Sequence, residues 1–205
     1  MFKRIFIAAF VITALGLWVF FNLHRFLAPT KPVADASILV IDTWLSDYEL
    51  KGAVKNFKAG KYTHVLVPGG QMDHGVFFQG MGSKGELTAI LLIYKGMPYD
   101  KITPLLVKSV KKDRTYQSAL TVKAWLARHK LSDARINVYT SGTHARRSWL
   151  LYRKAFGNDW QVGIIGAPPA DYDAKEWWKT SNGFRTVIDE AIAYLYARLF
   201  FHPDF

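Results

Sequence analysis

The chain has 205 residues, half of them apolar and 15% aromatic, with a net charge of +11 and no cysteine. That length and apolar content fit one ordinary domain plus an appendage and exclude a disordered chain. A disulfide scaffold, cysteine-held zinc and thiol chemistry are excluded too, although a cysteine-free chain can belong to either side of a membrane.

Lys3 and Arg4 precede Ile5 to Leu23, nineteen residues without a formal charge. As a helix this run extends about 28 Å, the thickness of a bilayer's hydrocarbon layer. Trp18, Phe20, Phe21 and His24-Arg25 supply the amphipathic, charged flank of a membrane interface. A cleaved signal peptide has a shorter apolar region, and the small-residue lookalike Ala34-Asp35-Ala36 lies too far downstream. Residues 1–31 are therefore expected to form an uncleaved single-pass anchor and linker, inserted through residues 5–27. Lys3 and Arg4 against Arg25 and Lys31 favour a cytoplasmic amino terminus by a narrow margin. Those four cations meet no acid in residues 1–31, which leaves +7 on residues 32–205. A tethered domain of that charge attracts anionic lipid heads or phosphorylated ligands as readily as nucleic acid.

Pro29-Thr30-Lys31-Pro32 reads as a short stiff linker. Beyond it, apolar runs of strand type alternate with helical patterns. Strands are expected at Ile38–Ile41, His64–Val67, Ile102–Val107, Ile136–Tyr139 and Val162–Ile165, and Pro68-Gly69-Gly70 is expected to break the second. Helices are expected at Asp47–Ala59, Gly85–Tyr94, Arg114–His129 and Ala145–Phe156. The pattern predicts an α/β domain over residues 32–205: a Rossmann-like, mostly parallel five-stranded sheet with helices on both faces. The end differs, with a Trp177-Trp178 pair followed by a helix over Gly183–Leu199. Its Phe184, Ile188, Ala191, Leu195 and Leu199 share one face, which predicts packing onto the domain.

In an open parallel sheet, ligands gather beyond the carboxyl ends of the strands. The segments expected there are Asp42–Asp47, Gly69-Gly70, Lys111–Ser118 and Ser141–Arg147. Arg114 opens one helix, and Arg146 with Arg147 opens another, where the helix dipole already disfavours cations by about 0.3–1 kcal/mol each. Something negative should answer them. Two answers stand side by side: the protein's own Asp113, Asp42, Asp47 or Glu86, or a bound phosphate or carboxylate received by backbone N–H groups and guanidinium forks. His144, beside the same arginines, suits anion binding, acid–base work or simple loop ordering. Ser141 and Thr143 read as helix caps sooner than nucleophiles, and no G-x-S-x-G elbow exists. Asp73-His74 lacks the companions a metal needs, so no metal is expected. The first strand runs into Asp42-Thr43-Trp44 with no glycine-rich loop, so no dinucleotide cofactor is expected either.

Val67-Pro68-Gly69-Gly70, Glu86, Arg114-Thr115-Tyr116-Gln117-Ser118-Ala119 and Thr140-Ser141-Gly142-Thr143-His144-Ala145-Arg146-Arg147 together resemble the ElyC/SanA/YdcF family over about residues 37–165. Trp44-Leu45-Ser46-Asp47-Tyr48, Pro168-Pro169-Ala170-Asp171-Tyr172-Asp173 and the C-terminal helix look like a branch with its own extension. The resemblance implies a Rossmann-like domain, commonly anchored in the inner membrane and facing the periplasm, linked to cell-envelope and surface-polysaccharide work. It marks Gly69, Gly70, Glu86, Arg114, Thr115, His144 and Arg147 as a pocket. One soluble member is described as binding S-adenosylmethionine, but Asp42-Thr43-Trp44 departs from the glycines many members carry at the first strand.

The expected function is thus a membrane-anchored envelope biogenesis protein that binds, and in one version processes, a phosphorylated or lipid-linked precursor. Asp42, Gly69, Gly70, Arg114, Thr115, Ser141, Arg146 and Arg147 would line the ligand, and His144 or Glu86 would move a proton if chemistry occurs. The competing expectations are a non-enzymatic interaction module using Trp177, Trp178 and the aromatic C-terminal helix, and a nucleotide or S-adenosylmethionine binder. Nucleic acid is not an expected partner, because the anchor removes the domain from most of it and no recognition module is present.

Overall fold

In a computed structural model that describes residues 2–72, 82–108 and 113–203, the chain opens with one long helix, α1 (Phe2–Leu27), and continues as an α/β domain. The domain runs β1 (Thr30–Lys31), β2 (Ile38–Ile41), α2 (Asp47–Ala59), β3 (His64–Gly70), α3 (Lys84–Tyr94), β4 (Ile102–Val107), α4 (Arg114–Arg128), β5 (Ile136–Ser141), α5 (Ala145–Phe156), β6 (Val162–Ala167) and α6 (Ser181–Leu199). Single 3-10 turns stand at Tyr99–Lys101 and Trp177–Lys179. The strand order is β1-β6-β5-β2-β3-β4, with β2 to β6 parallel and β1 antiparallel at the edge. The direction of chain progression reverses between β2 and β5, so the loops after those two strands lead away from each other at their carboxyl ends, the place where open parallel sheets have their ligand crevice.

The apolar runs are continuous because both sheet faces are covered. Ile38, Val40, Leu66, Val138 and Ile164 point to the face filled by α4 and α5. The alternate residues Leu39, Ile41, Val65 and Val67 point to the face with Leu50, Ala53 and Val54 of α2 and Leu92 of α3. Each such aliphatic side chain contributes about 1.5–3 kcal/mol when fully buried, so the strand runs supply the main force that flattens these elements into layers.

Three expectations are corrected. The sheet has six strands, not five: Thr30 and Lys31, read as linker, pair with Ile165 and Ile164. A two-residue strand between prolines shows no alternation, and proline's missing N–H confines such a strand to an edge. Asn137 fastens the chain just beyond β1, its side chain accepting from the Val33 N–H at 2.8 Å and donating to the Val33 carbonyl at 3.1 Å. Second, β3 does not end at Val67. Pro68, Gly69 and Gly70 stay in register with Leu105, Leu106 and Val107 of β4. Third, the apolar face of α6 is only partly covered, for Leu195 and Leu199 are more than half exposed.

Helix α1 is the one helix among the described residues long and apolar enough to cross a membrane. Its two parts behave differently. Phe2 to Val19 touch almost nothing and are exposed. Phe20, Leu23 and Leu27 join Trp177, Val187, Ile188 and Ala191 in a separate apolar cluster that fixes α1 to α6.

Candidate functional site

The crevice between β2 and β5 collects a compact polar group. Asp42 follows β2, and its Oδ1 accepts the Thr43 N–H at 2.8 Å while Oδ2 accepts the Thr140 hydroxyl at 2.9 Å. His144 sits at the start of α5, with Nε2 3.6 Å from Asp42 Oδ2, an ionic distance too long for a hydrogen bond. Its Nδ1 lies 3.0 Å from Glu190 Oε1 of α6 and 2.8 Å from Arg147 Nη2. Arg147 grips the same carboxylate twice, Nε to Oε2 at 2.9 Å and Nη2 to Oε1 at 2.8 Å. A guanidinium has no lone pair to receive from the ring. Nδ1 thus has two exclusive partners: with a proton it donates to Glu190, without one it accepts from Arg147, and in both states Nε2 faces Asp42.

Burial alone would raise the Glu190 carboxyl. The hydrogen bonds from His144 and Arg147, with their charges, overcome it and hold the group down at about 2. Glu190 is ionised across the physiological range and fixes both the guanidinium and the imidazole. This bidentate arrangement is the strong, directional kind of ion pair. Arg147 is thus answered from within the protein, and by none of Asp113, Asp42, Asp47 or Glu86.

The remaining expected residues divide. Ser141 ends β5 one residue beyond Thr140, at the edge of the group. Neither it nor Thr143 caps α5, whose N-cap is His144, itself in helical conformation and without a side-chain cap; Thr143 hydrogen-bonds the Tyr172 side chain instead. Arg146 points away from the crevice, donating from Nε to the Phe26 carbonyl at 2.6 Å with its guanidinium 4.1 Å over the Phe26 ring. Glu86 closes a capping box on α3: its Oε2 accepts the Ser83 N–H at 3.1 Å and the Gly82 N–H at 2.9 Å, while Ser83 Oγ accepts the Glu86 N–H. Arg114 and Thr115 open α4; Arg114 is exposed and meets no partner among the described residues.

The two glycines have unlike roles. A β-carbon on Gly69 would lie 2.1 Å from the Gly85 nitrogen, so this glycine lets β3 touch the backbone at the start of α3. A β-carbon on Gly70 would meet nothing within 4 Å among the described residues, so no close backbone contact there demands a glycine. Asp73-His74 and the beginning of the 111–118 loop lie outside the described residues.

Glu190 is the member that sequence reasoning missed. A signal existed: an acid with Val187, Ala191 and Tyr194 as its helical neighbours stands on the face that α6 buries, where an ionised group demands a partner. No family model, no curated protein and no solved structure matches the chain.

Proposed function

We propose that this is a membrane-anchored envelope biogenesis protein of the ElyC/SanA/YdcF type. Its Rossmann-like domain faces the periplasm from a single inner-membrane span and binds a phosphorylated or lipid-linked precursor at the crevice between β2 and β5. The observation that carries the reading is His144, held through Nδ1 by Glu190 with Nε2 beside Asp42 at the point where the strand order reverses. An imidazole oriented through one nitrogen by a carboxylate has its other nitrogen ready to give or take a proton. Arg147 acts through Glu190 as a positioning residue. Arg114, exposed at the start of α4 after the edge strand β4, is a cation that the same sheet rim offers to a phosphate, and Gly70 ends β3, the strand between β4 and β2. A tethered domain meets a lipid-linked ligand at high effective concentration, which is the use of the anchor.

The test titrates the full chain in detergent micelles with inorganic pyrophosphate and with a polyprenyl pyrophosphate, following thermal unfolding. A ligand at a hundred times its dissociation constant stabilises by about 2.7 kcal/mol. We expect stabilisation by the polyprenyl compound, weakened about tenfold in apparent affinity by His144→Gln or by Arg114→Ala, the effect of losing one charged hydrogen bond. Undiminished stabilisation in both variants would overturn the reading.

A second reading, a non-enzymatic interaction module, draws on the uncovered apolar side of α6, where Ile192, Leu195, Leu199 and Phe200 are each more than half exposed. The tryptophan pair gives it no support, because Trp177 is fully buried and Trp178 lies against Phe21. Concentration-dependent self-association or a captured membrane partner, lost on Leu195→Asp, is its test.

A further inference from the structure

A cavity of about 560 Å³ lies where α1 leaves its exposed section and meets the loop after β6. Phe21, Asn22, His24 and Arg25 form one wall, and Ala167 and Lys175 belong to the other. We infer that this cavity binds the phosphate headgroup of a membrane lipid. The inference rests on α1 spanning a bilayer and is independent of any ligand at His144.

Position is the first argument. Lys3 and Arg4 mark one face of the bilayer, and Arg25, twenty residues beyond Ile5, stands about 30 Å further along the helix, the thickness of the hydrocarbon. His24 and Arg25 therefore fall at the level of the opposite headgroups, with Phe20 and Phe21 just inside them. The aromatic side chains agree: Trp18 is exposed on the last lipid-facing turn, and Trp178 stands edge-on to Phe21 with ring centroids 4.8 Å apart. Indole rings concentrate at that depth because they have an apolar body and a polar edge. A cavity whose wall begins at Phe21 therefore opens where lipid phosphates lie.

Chemistry is the second argument. Arg25 and Lys175 are exposed on the two walls, and neither cation has an acidic partner among the described residues. Each of the loop's three acids has another partner: Asp173 Oδ1 accepts the Lys175 backbone N–H at 2.8 Å, Asp171 Oδ2 accepts from Asn182 at 3.4 Å, and Glu176 pairs with Lys179 at 2.7 Å. A guanidinium fork and an ammonium facing one space make a receptor for phosphate. His24 supplies an independent sign. It is 6% exposed, it lines the cavity, and its Nε2 finds no hydrogen-bond partner among the described residues. That nitrogen is closed to solvent, so a ligand oxygen or its water reaches it only once the ring turns toward the cavity, which would relieve the roughly 1–3 kcal/mol that an unpartnered buried nitrogen costs. The volume lies within the roughly 300–1,000 Å³ of small-ligand sites, and Phe21 offers apolar surface for the first carbons of the acyl chains.

The test applies native mass spectrometry to the full chain released from neutral detergent, with dioctanoyl phosphatidic acid as the probe and dioctanoylglycerol and inorganic phosphate as comparisons. We expect one phosphatidic acid per chain, with apparent affinity reduced about tenfold or more in the Arg25→Ala/Lys175→Ala double variant. Both positions are exposed, so the variant should fold as the parent does. Lys55→Ala/Lys58→Ala removes the same charge from α2 and should leave binding intact. Equal binding by the Arg25/Lys175 variant, an equal loss in the α2 control, or equal retention of dioctanoylglycerol would overturn the inference. Inorganic phosphate binding as tightly as the lipid would also overturn it, since the source would then be soluble phosphate. Retention of the chain in carbonate-washed membranes reports the anchor separately, and pyrophosphate titration reports the His144 crevice.

Discussion

Helix α6 is held at two places by opposite kinds of contact. Against α1 it buries Val187 beside the fully enclosed Trp177 and Leu27, a junction of apolar surface. Against α5 it offers Glu190 to Arg147 and His144, a junction of charge and directed hydrogen bonds. The first is indifferent to small changes of angle and holds no ion pair among the described residues. The second exists only at one geometry and only while the carboxyl is ionised. One helix thus ties the apolar helix to the domain and orients the imidazole in the crevice, and the two tasks use separate chemistry.

The sharpest way to break the comparison is at Trp177. Trp177→Ala removes the largest fully buried side chain and should lower stability by about 3–5 kcal/mol. The loss should be the same at pH 7 and pH 8, where His24, buried against Tyr172 at the same junction, gains no proton. Trp177→Phe should cost less, since it keeps most of the buried ring and removes an indole N–H that has no partner among the described residues. Urea unfolding of the full chain in micelles reads both, and a loss under about 1 kcal/mol for Trp177→Ala would show that the indole is not what holds α6 to α1.

The polar junction comes next. Glu190→Gln leaves Arg147 and His144 facing a neutral amide and should cost about 3 kcal/mol near neutrality, the size expected for breaking a buried pair. The pH dependence has a definite sign. The Glu190 carboxyl is depressed from 4.5 to about 2, so its contribution is full above the unfolded value and disappears as pH falls through that window. A shift of that size also corresponds to about 3 kcal/mol. Parent and variant should therefore differ most at pH 6 to 7 and converge only below about pH 2. A constant difference across that range would mean that the carboxylate's charge is not what holds the junction.

Much of the architecture was legible because burial on both faces writes apolar runs into a chain. Ile38–Ile41, Asp47–Ala59, Ile102–Val107 and Ala145–Phe156 stand where pattern and capping residues put them. What escaped has physical reasons. Thr30–Lys31 is held by edge pairing and by Asn137, a contact across more than a hundred residues. Gly69 and Gly70 look like a turn in sequence, yet one serves a close approach of α3 to β3, which only the packed layers impose. At the site, sequence placed Asp42, Ser141, His144 and Arg147 at one sheet rim through the strand ends that carry them. It missed Glu190, since a helix appended after the last strand has no fixed position until α1 and α5 receive it. The unlike roles of the three arginines were also illegible: Arg146 and Arg147 are neighbours, but 100° of helical rotation sends one to α1 and the other to Glu190.

That divergence gives the smallest expected effect. Arg146 joins α5 to α1 through one hydrogen bond to the Phe26 carbonyl and through the Phe26 ring, both at an exposed edge. An exposed cation–π contact is worth about 0.5–1 kcal/mol, and the freed carbonyl can turn to water. Arg146→Ala should therefore cost under about 1 kcal/mol, with no change in the acid response that Glu190 confers. Arg147→Ala, one residue on, should remove about 3 kcal/mol and flatten that response, because it withdraws two of the hydrogen bonds that keep the carboxyl ionised. Unfolding both variants across pH 2 to 7 separates them; equal losses would mean that the two guanidinium groups serve one network, and that the apolar and polar attachments of α6 are coupled through α1.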